Sequence, residues 1–451
     1  MATLRIAEWS VALSYRDLPT SVVDAAVRSF YNWLGCALGG SNHPTTTTAV
    51  KALSPFFGKE TSSILGGQSC KADASHSALI NGIASHVHDY DDTHLETIIH
   101  PTGPVASALL AQAEALTAQG MTVLGDDFVL ALVVGIEAEC KLGLAVWPKH
   151  YDVGWHITSS TGSIGAAVAV SKLLSLSADQ TAHAIGIAST QVTGLREMFG
   201  TDTKSFHVGR SAQNGLLAAI LASQGFTSST SALEAKRGWV NVVGQGINRL
   251  DEYVGSLGKV WEIEKNAFKP FPCGIVVHPV IDGCIQLHKE MKEKGLDVQG
   301  IKSVKCTVHP LVLELTGKKT PQDGLQAKFS VYHGGAVGLV LGKAGPAQYA
   351  DDVVRSNEVV SIRDRIGATA EGKLGADETE IVVEFQDGRE LKKHVKHAIG
   401  SLEVPMTDEQ LREKFLDQVS LVLGNEGAKK ASDIAWSLKG VGDVAALVKT
   451  L

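Results

Sequence analysis

The chemically richest part of this 451-residue chain is a crowded run of histidines and acids at residues 86–94, which read HVHDYDDTH. Glu96 and the string His100-Pro-Thr-Gly follow within a few residues. Imidazoles beside carboxylates can move protons near neutral pH, because the carboxylate orients the ring and stabilises its charged form. The run therefore predicts either general acid–base chemistry or a solvated loop with ordinary capping acids.

A metal site is the main chemical alternative for the same segment. His-x-His followed by acids resembles a binuclear metal loop, and Asp91-Asp92 with Glu96 is similar to the magnesium-binding acids of helical prenyl-diphosphate enzymes. Neither pattern is completed by a second acidic cluster or a second His-rich loop further along the chain. We therefore expect no catalytic metal.

Two further segments combine polar side chains with a helix start. His156 precedes the string TSSTG at residues 158–162, which opens a Gly/Ala-rich helix. Residues 196–210 then carry three cations and an imidazole ahead of another helix: Arg196, Lys204, His207 and Arg210. Helix N-termini attract anions, and Lys, Arg and His are the usual partners of a carboxylate. Either segment could bind an acidic substrate, although single structural histidines and solvated cations are common.

Two weaker signals lie in the second half of the chain. Residues 268–274 read FKPFPCG, so two prolines and a glycine fix the backbone around Lys269. Tyr332 and His333 lie in an apolar segment that is expected to be helical, where packing in the core is the default. The lysine turn suits a ligand clamp, and the tyrosine suits a proton donor.

Composition narrows the class of protein. Hydrophobic residues make up 44% and charged residues 20%, as in soluble globular proteins, and the net charge of −7 comes without a basic block. Nucleic acid and anionic membranes are therefore not expected as partners. The six cysteines form no C-x-x-C, no secretory leader is visible, and residues 334–345 lack a nucleotide-binding motif. We expect a cytoplasmic, or else mitochondrial, protein without a cofactor.

The elements that must position these residues are mostly helical in the first 260 residues. Apolar periodicity predicts helices at 74–88, 103–119, 127–146, 160–174, 179–190 and 205–224, after a first helix capped by Ser21 that ends at Gly39-Gly40. From about residue 270, strands are expected at 301–309 and 380–385, with a hairpin turn at Asp387-Gly388 and helices at 276–293 and 326–341.

A helix returns after Pro405, beginning with a capping box at Thr407. The predicted fold is therefore mostly α, with a large all-helical domain at 1–267, completed by 403–451, and a smaller α+β domain at 268–402. No strand–G-x-G-x-x-G–helix unit is present, so a Rossmann domain is not expected.

Taken in order, these segments resemble the MmgE/PrpD family of cis-aconitate decarboxylases, 2-methylcitrate dehydratases and iminodisuccinate epimerases. The resemblance runs nearly end to end and rests on D-x-D-D-T…H-P-[ST]-G, T-K-x-x-H-x-G, F-K-x-F-P and a late tyrosine. It implies a cofactor-independent lyase of a small tricarboxylic or dicarboxylic acid, with the α+β domain as a lid and a homodimer as the assembly. An epimerase of a dicarboxylate and a non-catalytic binding protein are the alternatives.

The resemblance also implies roles for seven positions: Asp89, Thr93, His100, His156, Lys204, Lys269 and Tyr332. His100 and His156 would form the acid–base pair, oriented by Asp89. Tyr332 would donate to a leaving oxygen, Lys204 and Lys269 would clamp carboxylates, and Thr93 would contact substrate. The cation-rich segment adds three substrate-binding candidates, which are Arg196, His207 and Arg210.

Overall fold

The computed structural model describes residues 1–66 and 70–448, which divide into two compact units. The helical unit comprises Met1–Val87, Asp91–Ala267 and the segment that begins at Arg412. The α+β unit comprises His88–Tyr90 and Phe268–Leu411. The predicted fold class, mostly α with an α+β part, is confirmed. The use of residues 268–402 as a lid stays a prediction.

Up to residue 265 the described chain contains twelve α-helices and three very short strands. The helices are α1 (Ala2–Ala12), α2 (Thr20–Gly39), α3 (Pro44–Leu53), α4 (Ala74–His86), α5 (Thr102–Thr117), α6 (Gly125–Val146), α7 (Lys149–Asp152), α8 (Ile157–Leu173), α9 (Ala178–Ser189), α10 (Asp202–Ser223), α11 (Trp239–Val243) and α12 (Leu250–Val254). The strands are β1 (Ser62–Ser63), β2 (Lys71–Ala72) and β3 (Asp92–His94).

From residue 266 onward the described chain contains five more strands, four of which are longer. They are β4 (Asn266–Phe268), β5 (Ile301–Val308), β6 (Ile366–Ala370), β7 (Thr379–Phe385) and β8 (Glu390–Val395). The helices are α13 (His278–Glu293), α14 (Pro310–Thr316), α15 (Gly324–Ala327), α16 (Val331–Leu341), α17 (Asp351–Val354), α18 (Asn357–Arg363), α19 (Asp408–Trp436, interrupted by a kink at Gly424) and α20 (Val444–Val448).

The α+β unit is built on one four-stranded sheet in the order β6-β5-β7-β8. The β5–β6 pair is parallel, whereas β7 is antiparallel to both β5 and β8. Val304, Cys306, Ile381 and Val383 are buried in one hydrophobic core with α13 and α16. The predicted strands and the hairpin between β7 and β8 are confirmed, and Gly388 supplies the positive φ of 84° that the turn needs.

The six long helices expected between residues 74 and 224 are confirmed, and their observed ends lie within about three residues of the predicted ones. The predicted cap at Ser21 is wrong. The carbonyl oxygen of Pro19 accepts from the N–H groups of Val22 and Val23, so the helix begins at Thr20. The capping box at Thr407 is present, with reciprocal bonds of 2.9 and 3.2 Å, but its partner is Gln410 instead of the expected glutamate.

Close backbone contact sets the packing of α10 against two neighbouring helices. A Cβ atom on Gly82 of α4 would lie 2.5 Å from the Cα atom of Gly209. A Cβ atom on Gly209 would lie 2.1 Å from the Leu79 carbonyl oxygen, and one on Gly215 would lie 2.5 Å from the Ser163 carbonyl oxygen of α8. The glycines therefore permit a separation of the helices that side chains would prevent.

The cysteines contribute thiols to the core. Cys36, Cys140, Cys273, Cys284 and Cys306 are buried, and Cys70 is half-buried. Burial in apolar surroundings raises the pKa of Cys36, Cys273 and Cys306 to about 12. Among residues 1–66 and 70–448, no helix is long and apolar enough to cross a membrane.

We predict that Gly209→Ala destabilises the helical unit although alanine is the better helix former. Relief of the clash with the Leu79 carbonyl requires α4 and α10 to move apart, and overpacking of this kind typically costs about 1–3 kcal/mol. Urea unfolding followed by circular dichroism measures the loss. Gly335→Ala in α16 is the matched control, because the nearest atom there is the tip of the Ile366 side chain at 3.1 Å. Equal free energies of unfolding for wild type and Gly209→Ala would contradict the packing argument.

Candidate active site

Three helix ends meet in the helical unit and carry imidazoles or cations. His86 is the last residue of α4, His156 is the N-cap residue of α8, and Lys204 and His207 lie in the first two turns of α10. All four side chains are buried. Because the glycine contacts hold α10 against α4 and α8, these helix ends are brought together at one place. We call His86, His100, His156 and His207 the imidazole cluster.

His86 is paired with a carboxylate inside the cluster. Its Nδ1 lies 2.7 Å from Oδ2 of Asp91, and neither side chain is exposed. The other carboxylate oxygen of Asp91, Oδ1, lies 3.7 Å from Nδ1 of His100. The centroids of the His86 and His100 rings are 4.9 Å apart. One buried carboxylate therefore neighbours two imidazoles and can balance a positive charge on either of them.

The contacts of His100 fix which of its ring nitrogens carries hydrogen. Nδ1 lies 2.7 Å from the carbonyl oxygen of Asp92 and 3.2 Å from Oγ1 of Thr93. A carbonyl oxygen can only accept, so Nδ1 donates and Nε2 of the neutral ring carries the lone pair. The backbone N–H of His100 donates to Oγ1 of Thr158 at the start of α8, at 3.0 Å. His100 is thus oriented as a base through Nε2.

His156 and His207 form a direct pair. Their Nδ1 atoms are 3.0 Å apart, and their ring centroids are 5.3 Å apart. One Nδ1 must carry the hydrogen and the other must accept it, because two N–H groups would repel at this distance. The His156 ring also packs edge-on against Phe199, and Nζ of Lys204 lies 5.4 Å from the centroid of the same phenyl ring.

The electrostatics of the cluster keep His156 and His207 neutral. Burial first, and then the positive potential of His86, Lys204 and the other rings, lowers the pKa of His156 well below its ordinary value. Burial, His86 and Lys204 lower the pKa of His207 to about 4. The N-termini of α8 and α10 add positive potential at the same place. The cluster therefore has a surplus of positive potential that an anion would relieve.

Buried polar groups hold the loop that carries His100. Thr102 and Asn266 both donate to Oδ2 of Asp92, while burial and the charge of Asp91 raise the pKa of Asp92 to about 6. His94 is held by Glu262, with Nε2 3.2 Å from Oε2.

An ion pair between Glu262 and a lysine of α6 anchors the same loop. Oε1 of Glu262 lies 2.7 Å from Nζ of Lys141, and both side chains are buried. Burial opposes ionisation of Glu262, but hydrogen bonds from His94, Lys141 and Lys265 outweigh it and lower the pKa of this carboxyl. The strand that precedes His100 is therefore tied to α6 by charged hydrogen bonds, which are stronger than neutral ones.

The two arginines predicted to bind substrate have other partners. Nη1 of Arg196 donates to the carbonyl oxygen of Tyr151 at 3.1 Å, and its guanidinium lies 4.0 Å from the centroid of the Tyr151 ring. Arg210 is exposed and donates to Oε1 of Gln213 at 2.6 Å. These contacts suit positioning of the loop and of the surface of α10. Substrate binding by either arginine stays a prediction.

The α+β unit contains three of the predicted residues. Nζ of Lys269 lies 2.7 Å from Oδ1 of Asp89 and 3.3 Å from its carbonyl oxygen, and both side chains are buried. Asp89 has a φ of 51°, which is uncommon outside glycine. Tyr332 lies in the first turn of α16, and Nζ of Lys319 is 5.8 Å from the centroid of its ring. Catalytic roles for Asp89, Lys269 and Tyr332 stay predictions.

Two residues of the site were quoted in the sequence pattern but were given no role, namely His86 and Asp91. They are five positions apart in the chain, and the end of α4 lies between them. Only the reversal of the chain after the helix brings Nδ1 of His86 to within 2.7 Å of the carboxylate. The available signal was the density of titratable residues at 86–94, which marks the segment but not the pair.

Comparison with known proteins identifies the class. The MmgE/PrpD N-terminal domain matches residues 4–249, and the MmgE/PrpD C-terminal domain matches residues 271–439. The chain therefore belongs to the MmgE/PrpD family, as predicted. The prediction of an enzyme of the lyase class within this family is also confirmed, because relatives of the chain are named as decarboxylases and dehydratases.

Three relatives illustrate the similarity. The chain is 27% identical to a cis-aconitate decarboxylase of Aspergillus terreus, covering 100% of this chain and 95% of the relative. It is 25% identical to the cis-aconitate decarboxylase of Homo sapiens, covering 97% and 92%. It is 23% identical to a 2-methylcitrate dehydratase of Salmonella typhimurium, covering 83% and 81%.

We predict that Gly194→Ala impairs the site more than it impairs the fold. Gly194 has a φ of 92°, its carbonyl oxygen accepts from the His156 N–H, and a Cβ atom there would lie 3.1 Å from Cβ of His156 and 2.8 Å from Oγ of Ser159. A shift of His156 by even about 1 Å can cost on the order of 10²-fold in rate. The measurement is kcat beside the free energy of unfolding.

Gly225→Ala is the matched control for this substitution. Its φ is 86°, but no atom lies within 4 Å of the added Cβ. Both variants should lose about 1–3 kcal/mol of stability from backbone strain, and Gly194→Ala alone should lose activity. If the two variants retain equal kcat, Gly194 does not position His156.

Proposed function

We propose that the protein is a lyase of small tricarboxylic acids, and we favour the decarboxylation of cis-aconitate. The observation that carries this proposal is the surplus of positive potential at the buried imidazole cluster, with Lys204 and two helix N-termini around it. A substrate with several carboxylates would compensate this potential. Decarboxylase relatives cover nearly the whole chain, which favours decarboxylation over dehydration.

The proposed binding step uses Lys204 as the charged partner of a substrate carboxylate. Its ammonium group lies beside Phe199 and in the first turn of α10, where the helix dipole adds to its charge. Burial strengthens the attraction, because little water screens it. Thr93 lies beside His100, with its Oγ1 3.2 Å from Nδ1, and stays a candidate for contact with the substrate on the sequence pattern.

The proposed reaction releases CO₂, shifts a double bond and adds one proton. The bond from carbon to the departing carboxylate breaks, and its electron pair forms a new terminal double bond as CO₂ leaves. The electron pair of the original double bond moves to the carbon beside a remaining carboxylate, and that carbon takes a proton from an imidazole. Lys204 stabilises the developing charge, and His156 donates the proton. No metal or organic cofactor is required for these steps.

Dehydration of 2-methylcitrate is the second candidate, and a relative that carries this name favours it. Here His100 would remove a carbon-bound proton through Nε2, the atom that its hydrogen bonds leave as the base. His156 would then protonate the departing hydroxyl. Both reactions use one base and one acid near neutral pH, and a homodimer is proposed as the assembly for either.

We predict that the purified protein converts cis-aconitate into CO₂ and an unsaturated dicarboxylate in buffer that contains EDTA. His156→Asn and His100→Asn should each lower kcat by about 10²–10⁴-fold, the usual contribution of a general acid or base. Lys204→Ala should raise KM, since a charged hydrogen bond is typically worth about 1.5–3 kcal/mol. Parallel assays use 2-methylcitrate and iminodisuccinate as substrates.

The control variant is His394→Asn, because His394 lies on β8 and its side chain is 51% exposed. Its kcat and KM should equal those of the wild type. Turnover of 2-methylcitrate alone would establish the second candidate, and turnover of iminodisuccinate alone would make the protein an epimerase. Wild-type rates in both histidine variants, or loss of activity in EDTA that one metal restores, would disprove the proposed mechanism.

A further inference from the structure

The His156–His207 pair can take up one proton and no more while its hydrogen bond persists. In the neutral pair a single hydrogen lies between the two Nδ1 atoms, which are 3.0 Å apart. An added proton can go to Nε2 of the donating ring, whose Nδ1–H then continues to bond the neutral partner. A second added proton would place two N–H groups face to face. The pair therefore has two stable states that differ by one proton.

The groups around the pair oppose that proton when the site is empty. Lys204 lies on the same helix as His207, His86 ends α4, and the centroid of its ring is 5.9 Å from that of His156. His100 approaches from the loop before α5 and contributes in the same direction, while Asp91 is paired with His86. Burial of both rings and the positive groups around them lower both pKa values, so the pair stays neutral at pH 7 when no anion is bound.

A substrate with several carboxylates changes the sign of this potential. A carboxylate bound at Lys204 neutralises one of the charges that disfavour the imidazolium. A carboxylate within about 4–6 Å of an imidazole favours its charged form, typically by 1–3 pKa units. Water leaves the site at the same time, which strengthens the attraction. Binding of the anion and binding of the proton are therefore coupled.

We propose that a polycarboxylate substrate loads one proton onto the His156–His207 pair, and that His207 holds this proton until His156 delivers it to the substrate carbon. His207 is thus a positioning residue that acts through His156, instead of the substrate ligand that the sequence predicts. The inference rests on the proposed function and deepens it, because it names the source of the proton that decarboxylation consumes.

The proton transfer balances without another reactant. Before the step, His207 is an imidazolium ion and His156 is neutral, with hydrogen on Nε2 and the lone pair on Nδ1. The Nε2–H bond of His156 breaks as the new C–H bond forms, and the Nδ1 proton of His207 moves to Nδ1 of His156. Both rings end neutral, one hydrogen again lies between them, and the carbanion is quenched. His156 never has to hold two protons, which its burial would make costly.

The test measures protons taken up on binding of propane-1,2,3-tricarboxylate, which has no double bond and cannot follow the proposed reaction. Isothermal titration calorimetry in buffers of different ionisation enthalpy gives the number directly. With the pKa raised by about 1–3 units from about 4, uptake by the wild type should peak between about pH 4.5 and 5.5 and approach one proton for the largest shift. Uptake should fall towards zero near pH 9, where the complex also loses the proton. It should fall again near pH 4, because His207 of the empty site has a pKa of about 4.

The decisive variant is His207→Asn, whose Oδ1 can accept from Nδ1 of His156 but cannot carry a proton. It should bind the tricarboxylate with a Kd that no longer weakens between about pH 5 and 7 as the wild type's does, and its proton uptake should drop by at least half. Protonation of the ligand's own carboxyl groups is common to both proteins and cancels in the difference. The kcat for the proposed reaction should fall at least tenfold while KM changes less than threefold, and His394→Asn should match the wild type.

The outcomes separate the two proposals. If the wild type binds the tricarboxylate without proton uptake, or if folded His207→Asn takes up as much as the wild type, proton loading is overturned and the proposed substrate class stands. If the wild type does not bind the tricarboxylate, the substrate class is overturned and the loading proposal falls with it. A variant that fails to fold is replaced by His207→Gln, whose Oε1 cannot carry a proton either.

Discussion

The helical unit depends on one constraint, which is that α10 touches α4 and α8 through backbone atoms. Gly82, Gly209 and Gly215 make this possible, since a Cβ atom at any of them would lie within about 2.5 Å of a neighbouring atom. The same contacts determine how close the ends of the three helices lie to one another. A wider separation would leave His156 and His207 too far apart to share a hydrogen, and it would weaken the positive potential that keeps both rings neutral.

The cluster is assembled before any ligand arrives. His86 is held by Asp91, His100 by the Asp92 carbonyl oxygen, and the loop between them by charged groups on α6. Donors that are fixed in advance need no reorganisation when charge develops, which is how electrostatic stabilisation lowers a barrier. The entropy cost of ordering these side chains is compensated by the free energy of folding. A substrate therefore uses little of its binding energy to order them.

Features that depend on the residues of a single element were predictable from the sequence. The Gly/Ala-rich helices, the β7–β8 hairpin and the family pattern were predictable, and the structure brings His100, His156, Lys204 and His207 together. Contacts between distant segments were not predictable. His156 and His207 are 51 positions apart in the chain, and the distance between them depends on how α8 packs against α10. Arg210 is exposed because the direction of its side chain around the helix axis points it to the surface of α10.

Burial of the thiols has a chemical consequence if the proposed reaction is correct. Unsaturated carboxylates are electrophiles, and a thiolate adds to the carbon one bond removed from the carboxylate-bearing carbon. Only the thiolate reacts at a useful rate. In five of the six cysteines burial removes access and also holds the pKa above its ordinary value, to about 12 for Cys36, Cys273 and Cys306. An enzyme that releases such a product for its whole lifetime would resist alkylation by it, with Cys70 as the one half-buried position where a covalent adduct could accumulate.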